Sequence, residues 1–128
     1  MNIKSLGTHI LIDYFDCDSN VINSKELVSA ALLDAARLSN ATIVTDVFHT
    51  FNPHGISGVV VIAESHIAIH TWPEYACAAV DIFSCGDKMK PEVIEGFLKD
   101  VFQAKTSESR LIERGRMQMA CQLLELSE

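Results

Sequence analysis

No stretch of this sequence approaches the roughly 20 consecutive apolar residues that a membrane-spanning helix needs. The aliphatic run Val59 to Ala63 stops after five, so no membrane span is expected. The first residues lack the basic-then-apolar pattern of a secretory signal, which leads to the expectation of a soluble, cytoplasmic protein. The four cysteines, Cys17, Cys77, Cys85 and Cys121, are widely spaced and form no C-x-x-C pair. That spacing argues against a zinc ribbon or a disulfide framework and for free thiols in a reducing compartment. Basic residues are also scarce, ten against seventeen acidic, and the net charge of −7 opposes loose attraction to nucleic acid or an anionic membrane while favouring a cationic substrate. Phosphate-binding and dinucleotide-binding glycine loops are missing, as is the H-x-E with P-C-x-x-C signature of the zinc deaminases. With three prolines, six glycines and no repeat or linker, residues 1–128 read as one domain.

What is present is apolar sequence in short periodic pieces: 48% of residues are hydrophobic and the mean hydropathy is +0.20, enough for a compact core. Gly7 to Tyr14 alternates Ile10, Ile12 and Tyr14 against His9, Leu11 and Asp13, which predicts a first strand. Asn23, with Glu26 three residues on, is expected to cap a helix whose apolar stripe is Leu27, Ala30, Ala31, Ala35 and Leu38, ending near Ser39-Asn40. Ala41 to Thr50 is β-branched and reads as a second strand, and Ile56 to Ala63 as a strand buried on both faces. From His66 to His70 the period is two, so the imidazoles and Ala68 share one face and Ile67 and Ile69 take the other. Thr71 to Tyr75 reads as a turn, and Cys77 to Ser84 as a strand that places Asp81, Phe83 and Cys85 on one side. Pro91, Glu92 and Glu95 favour a helix start, with Val93, Ile94, Phe97, Leu98 and Val101 as its stripe, and a last strand is expected around Leu111 to Glu113. Two helices and five or six strands predict an α/β (α+β) fold, a two-layer sandwich with helices on one face of a mainly antiparallel sheet.

The densest polar pattern is Glu64-Ser65-His66 at the end of the Val59 to Ala63 run, followed by His70-Thr71-Trp72-Pro73-Glu74 and then by Ser84-Cys85-Gly86-Asp87. A strand-end serine alone is an ordinary turn residue, Phe51 and Trp72 alone could be core aromatics, Glu74 a solvated carboxylate, and His66 and His70 at i, i+4 helical metal ligands. The period-two alternation speaks against that metal reading, no third ligand stands at zinc-like spacing, and no metal is expected. Together with Gly7 to Asp13 and His49 to Gly58, however, these segments closely resemble the short, prokaryotic-type S-adenosylmethionine decarboxylase proenzymes. The resemblance covers the chain as far as Asp87 and departs mildly at Asp16, where a glycine is common.

The resemblance implies self-cleavage between Glu64 and Ser65 into a beta chain, 1–64, and an alpha chain, 65–128, whose N-terminal Ser65 becomes a pyruvoyl group. It also implies a homodimer of processed protomers with active sites near the interface. The residues permit this chemistry. Attack of the Ser65 hydroxyl on the Glu64 carbonyl would give an ester, and removal of the Ser65 Cα proton would expel the Glu64 carboxylate and leave dehydroalanine, which hydrolyses to pyruvoyl and ammonia. His70, close in sequence at i+5, is expected to supply acid/base help, and by resemblance Ser57 is an auxiliary hydroxyl for processing. A pyruvoyl ketone takes a substrate amine as a Schiff base and draws off the electrons released with CO₂. Cys85 is the expected proton donor to the resulting carbanion, since an ordinary thiol pKa of about 8.5 leaves it mostly protonated near neutrality. Phe51 and Trp72 are expected to contact purine and sulfonium, and Glu74 the ribose hydroxyls. The implied function is decarboxylation of S-adenosylmethionine to the aminopropyl donor of spermidine synthesis. The rivals are the same chemistry on arginine or ornithine and a non-cleaving paralogue that binds or regulates.

Overall fold

The computed structural model describes residues 5–86 and 88–116. Six strands form one antiparallel sheet: β1 (Ser5–Phe15), β2 (Ile43–Thr50), β3 (Ile56–Ile62), β4 (Ser65–Trp72), β5 (Cys77–Ser84) and β6 (Thr106–Arg116), in the spatial order β2-β3-β4-β5-β1-β6. The helices α1 (Ser19–Ile22), α2 (Lys25–Leu38) and α3 (Glu92–Phe102) complete the described elements with a 3-10 turn at Pro73–Tyr75. β3, β4 and β5 follow one another as hairpins, while the run through α1 and α2 carries the chain from β1 to the far edge at β2. The two-layer α/β reading therefore holds, and the sheet is wholly antiparallel.

One face of the sheet meets the helices. Ile12 and Tyr14 of β1, Ile56, Val60 and Ile62 of β3, Ile67 and Ile69 of β4 and Val80 and Ile82 of β5 are buried against Val28, Ala31, Leu32, Ala35 and Ala36 of α2 and Ile94, Leu98 and Phe102 of α3. Among the described residues no helix covers the opposite face. This corrects the reading of β3 as buried on both sides: its Cβ atoms alternate, and Ser57, Val59 and Val61 on the open face are only half-buried.

Local chemistry moves two further expectations. The cap of α2 is Ser24, whose hydroxyl accepts the Leu27 N–H at 3.1 Å, while the Asn23 side chain instead accepts the Gly55 N–H at 3.0 Å. The buried stripe of α2 is rotated accordingly, to Val28, Ala31, Leu32, Ala35 and Ala36; Leu27 and Leu38 are 51% and 57% exposed. Adjacent apolar pairs such as Leu27-Val28 fit two stripes equally well, and the three small alanines select the one that lets the helix approach the sheet. In α3, likewise, Val93 is exposed and Phe102 is buried. β6 runs well beyond the expected Leu111 to Glu113, because its register with β1 spans Phe15↔Thr106 to Ser5↔Arg116. Cys121 and the rest of the tail lie outside the described residues. Asp16 has φ +54°, a left-handed conformation that explains why glycine suits this place and aspartate tolerates it.

Gly58 sits under the ring of Phe48, the buried side chain of edge strand β2; a Cβ on Gly58 would stand 2.0 Å from Phe48 Cδ1. Gly58→Ala must therefore push the ring out of its seat. It should lower unfolding free energy by about 1–3 kcal/mol, measured by urea denaturation, with strand content retained.

Candidate active site

The hairpin register places the polar residues in rows across the open face. Ser57 pairs with His70, His70 with Ala79, Ala79 with Asp13 and Asp13 with Glu108. The Ser57 hydroxyl lies 2.9 Å from His70 Nδ1. Two connections close over this end of the sheet: the loop from β2 to β3, which carries Phe51 and His54, and the 3-10 turn after β4, which carries Glu74. Gly55 pins the loop: its N–H reaches Asn23 and its carbonyl accepts the Phe51 N–H at 2.8 Å, at a φ of +107° that favours glycine. Ser19 holds the turn by donating to the Pro73 carbonyl at 2.9 Å, and the buried Thr71 hydroxyl accepts the Ile56 N–H at 2.9 Å.

Between them lies a cavity of about 290 Å³ lined by Phe51, His54, Gly55, Ser57, His70, Thr71, Trp72 and Glu74. The three residues expected to hold the nucleoside, Phe51, Trp72 and Glu74, are here with Ser57 and His70, whereas Ser65 and Cys85, expected to bond the substrate amine and return the proton, are not. Phe51 and Trp72 are 48% and 44% exposed, so neither is a core aromatic; the His49 ring meets Phe51 edge-on at 4.6 Å and Trp72 lies 6.5 Å from His70. The Glu74 carboxylate accepts from His54 Nε2 at 2.7 Å. Its own backbone N–H, and then His54, hold its pKa below the usual carboxylate range.

Glu64, Ser65 and Cys85 form a second group at the other end of β4. Glu64 stands in the two-residue connection of the β3–β4 hairpin with its side chain 8% exposed, its Oε1 accepting the Thr42 N–H at 3.0 Å and its Oε2 3.9 Å from Lys88 Nζ. The Thr42 N–H is the main reason its pKa is lowered. The Glu64 carbonyl accepts the Cys85 N–H at 3.0 Å. Ser65 adopts φ +150°, in territory that only glycine occupies without strain, and the side chain of Cys85, just past the end of β5, is exposed. Asp87, the last residue of the Cys85-Gly86-Asp87 pattern, lies outside the described residues.

Proximity in sequence does not bring His70 to Ser65. A strand advances about 3.3 Å per residue, so five residues put the two about 16 Å apart along β4. Between the groups, His9 Nε2 and His66 Nε2 both contact Asp81 Oδ2, at 2.9 and 3.0 Å, and Arg114 donates to His9 Nδ1 at 3.1 Å. The three ring and carboxylate atoms are close enough to share a metal. Because Arg114 occupies Nδ1 of His9, however, the imidazole proton is at Nε2 and is donated to Asp81, which favours a hydrogen-bonded network. Phe83, stacked on His66 with centroids 6.0 Å apart, covers it.

Residues 8–115 match the S-adenosylmethionine decarboxylase family. The chain belongs to that family. It is 47% identical over 117 residues to the S-adenosylmethionine decarboxylase proenzyme of Acidithiobacillus ferrooxidans, covering 91% of this chain and 88% of the relative. It is 50% identical over 111 residues to the proenzyme of Thermodesulfovibrio yellowstonii, covering 87% and 82%. The crystal structure of the adenosylmethionine decarboxylase from Aquifex aeolicus superposes with a TM-score of 0.81 at 37% identity, covering 88% of this chain and 93% of that one. What the sequence reading missed is the support: Thr42 and Lys88 around Glu64, and His54 on Glu74. His54 had a signal, since it shares a loop with Phe51, but its partner is 20 residues away.

Proposed function

We propose that this protein is a self-processing, pyruvoyl-dependent decarboxylase of S-adenosylmethionine, supplying the aminopropyl donor for spermidine synthesis. The observation that carries the reading is the cavity holding Phe51, Ser57, His70, Trp72 and Glu74 in a chain of this family. Two exposed aromatic faces suit a purine and a sulfonium, and a carboxylate kept ionised suits paired ribose hydroxyls. Arginine and ornithine have neither the adenine nor the ribose that these groups would hold together.

The cleavage bond fits self-processing. Glu64 is anchored by its side chain, and the Cys85 N–H points at the carbonyl that Ser65 would attack, where it would stabilise the negative charge that develops on oxygen. A strained Ser65 backbone, of a kind that costs roughly 1–3 kcal/mol, would be relieved by scission. The pyruvoyl formed from Ser65 would supply the electron sink for loss of CO₂. Cys85, exposed beside it, would return a proton to carbon. The free thiols Cys17, Cys77 and Cys85 suit a reducing cytoplasm.

His70 and Ser65 are too far apart within one chain to act together, and this favours a homodimer. Two copies meeting by their open sheet faces, with strands reversed about a two-fold axis, would bring the Glu64–Ser65 end of one β4 to the partner subunit's His70 and substrate cavity.

The 14.1 kDa chain should split into residues 1–64 and 65–128, seen as two masses of roughly equal size, with Ser65→Ala remaining whole because no hydroxyl is left to attack. Wild-type protein that stays intact on long incubation refutes self-processing. Co-expression of Ser65→Ala with His70→Ala subunits tests the shared site: each alone should stay uncleaved, whereas the mixed dimer should regain cleavage of the His70→Ala chain. Absence of that rescue in verified heterodimers returns both residues to one chain. For the substrate, processed enzyme should release CO₂ from S-adenosylmethionine and not from arginine or ornithine. Glu74→Gln should cost at least about tenfold in kcat/KM while chain cleavage persists, because hydrogen bonds to a charged group are worth roughly 1.5–3 kcal/mol each.

A further inference from the structure

The contact between His54 and Glu74 is the shortest polar contact in the substrate cavity and needs a reason. Its side chains are 35% and 38% exposed, and an ion pair at such exposure contributes about 0–1 kcal/mol to folding, so stability is a weak explanation. Its effect on geometry is larger. A carboxylate can only accept, so the proton of His54 must be on Nε2 and is donated to Oε2 of Glu74. The two residues belong to separate connections, one before β3 and one after β4. Each connection is tied down independently, the first through Gly55 to Asn23 and the second through Pro73 to Ser19. The bond between them thus joins two separately anchored connections and adds a second tether to an exposed carboxylate that already accepts its own backbone N–H.

We propose that His54 is a positioning residue for substrate selection: by taking Oε2 of Glu74, which lines the cavity, it restrains the carboxylate and leaves Oε1 for a vicinal diol. This inference rests on the reading of Glu74 as the ribose acceptor and names what makes it selective. A glutamate free to rotate would lose ordering entropy on binding any hydroxyl and would tolerate many arrangements. One locked by His54 has lost that freedom beforehand, and it rewards two adjacent hydroxyls over one or none. The ribose is remote from the reacting carbon, so the advantage should appear in binding and not in the chemical step.

The test uses the processed enzyme and the single tryptophan of the chain, Trp72, whose fluorescence reports occupancy of the cavity it lines without any turnover. Adenosine and 2′,3′-dideoxyadenosine are titrated into wild type, His54→Ala and His54→Gln. Wild type should prefer adenosine. His54→Ala should weaken adenosine up to about fivefold, the most that loss of so exposed a tether can cost, and leave the dideoxy compound unchanged. His54→Gln, whose amide can still donate to Glu74, should recover most of the loss. Turnover of S-adenosylmethionine by His54→Ala should show the same rise in KM with kcat little changed. Equal weakening of both nucleosides in His54→Ala, or an unchanged preference for the diol, overturns the role of His54 while leaving the decarboxylase reading in place. No preference in the wild type removes the ribose role of Glu74 itself, and this inference with it.

Discussion

Everything at the candidate site depends on how β4 is held between β3 and β5. Ile67, Ile69 and Thr71 are buried towards the helices, and that burial obliges His66, Ala68, His70 and Trp72 to face the other way. A slip of one residue would bury the imidazoles and expose the isoleucines, at a cost of several kcal/mol in apolar burial alone, since each fully buried side chain contributes about 1.5–3 kcal/mol. The apolar core therefore aims the chemistry. Ser57 meets His70 because the same register pairs Val59 with Ala68 and Val61 with His66.

Holding β4 straight also keeps its two ends apart. A helix would have brought residues 65 and 70 within a turn or so of each other, whereas the strand puts them at its two ends, with Ser65 in register with buried Ile62 and Ser84 and His70 on the open face. One end has the anchored carbonyl and the strained serine; the other has the Ser57–His70 contact and the aromatic cavity. The proposed cleavage and the proposed substrate binding would draw on both. The surface between them is the hydrogen-bonded face of His9, His66, Asp81 and Phe83, lined by half-buried Val59 and Val61, a mixture of polar and apolar groups that suits contact with a second copy better than contact with water alone.

Much of this was legible from the sequence because period-two patterns are strict where one face is buried. The limits of β5 were read to the residue, and the inward and outward faces of β4 were read correctly. Elements failed where the pattern was degenerate. Adjacent apolar residues in α2 allowed two stripes, and Asn23 was as good a cap on paper as Ser24 until the distant Gly55 N–H claimed its side chain. The run of β3 suggested burial on both faces because nothing in a sequence says which face a helix will cover. At the candidate site the sequence offered the residues but not their spacing: Phe51, Ser57, His70, Trp72 and Glu74 share one cavity, while Glu64, Ser65 and Cys85 stand at the other end of β4. Placing His70 near Ser65 treated separation along the chain as separation in space, which holds for a helix and fails for a strand. His54 was passed over for the converse reason: its meaning comes from Glu74, and only the fold brings the two together.

The hairpin between β3 and β4 shows how the Glu64–Ser65 bond, the proposed cleavage site, is held rigid while its serine is strained. Ala63 donates its N–H to the Thr42 carbonyl, Glu64 takes the Thr42 N–H with its carboxylate, and Cys85 donates to the Glu64 carbonyl, so the two-residue connection before the bond is fixed at three points. Ser65 begins a strand whose register is dictated by Ile67 and Ile69. A two-residue connection between fixed ends has few ways to adjust, and the misfit is concentrated at the Ser65 φ of +150°. A longer or looser loop would relax the serine and let the carbonyl turn away from Cys85. The short connection between two well-packed strands is thus what would turn stability stored in the core into reactivity at one peptide bond.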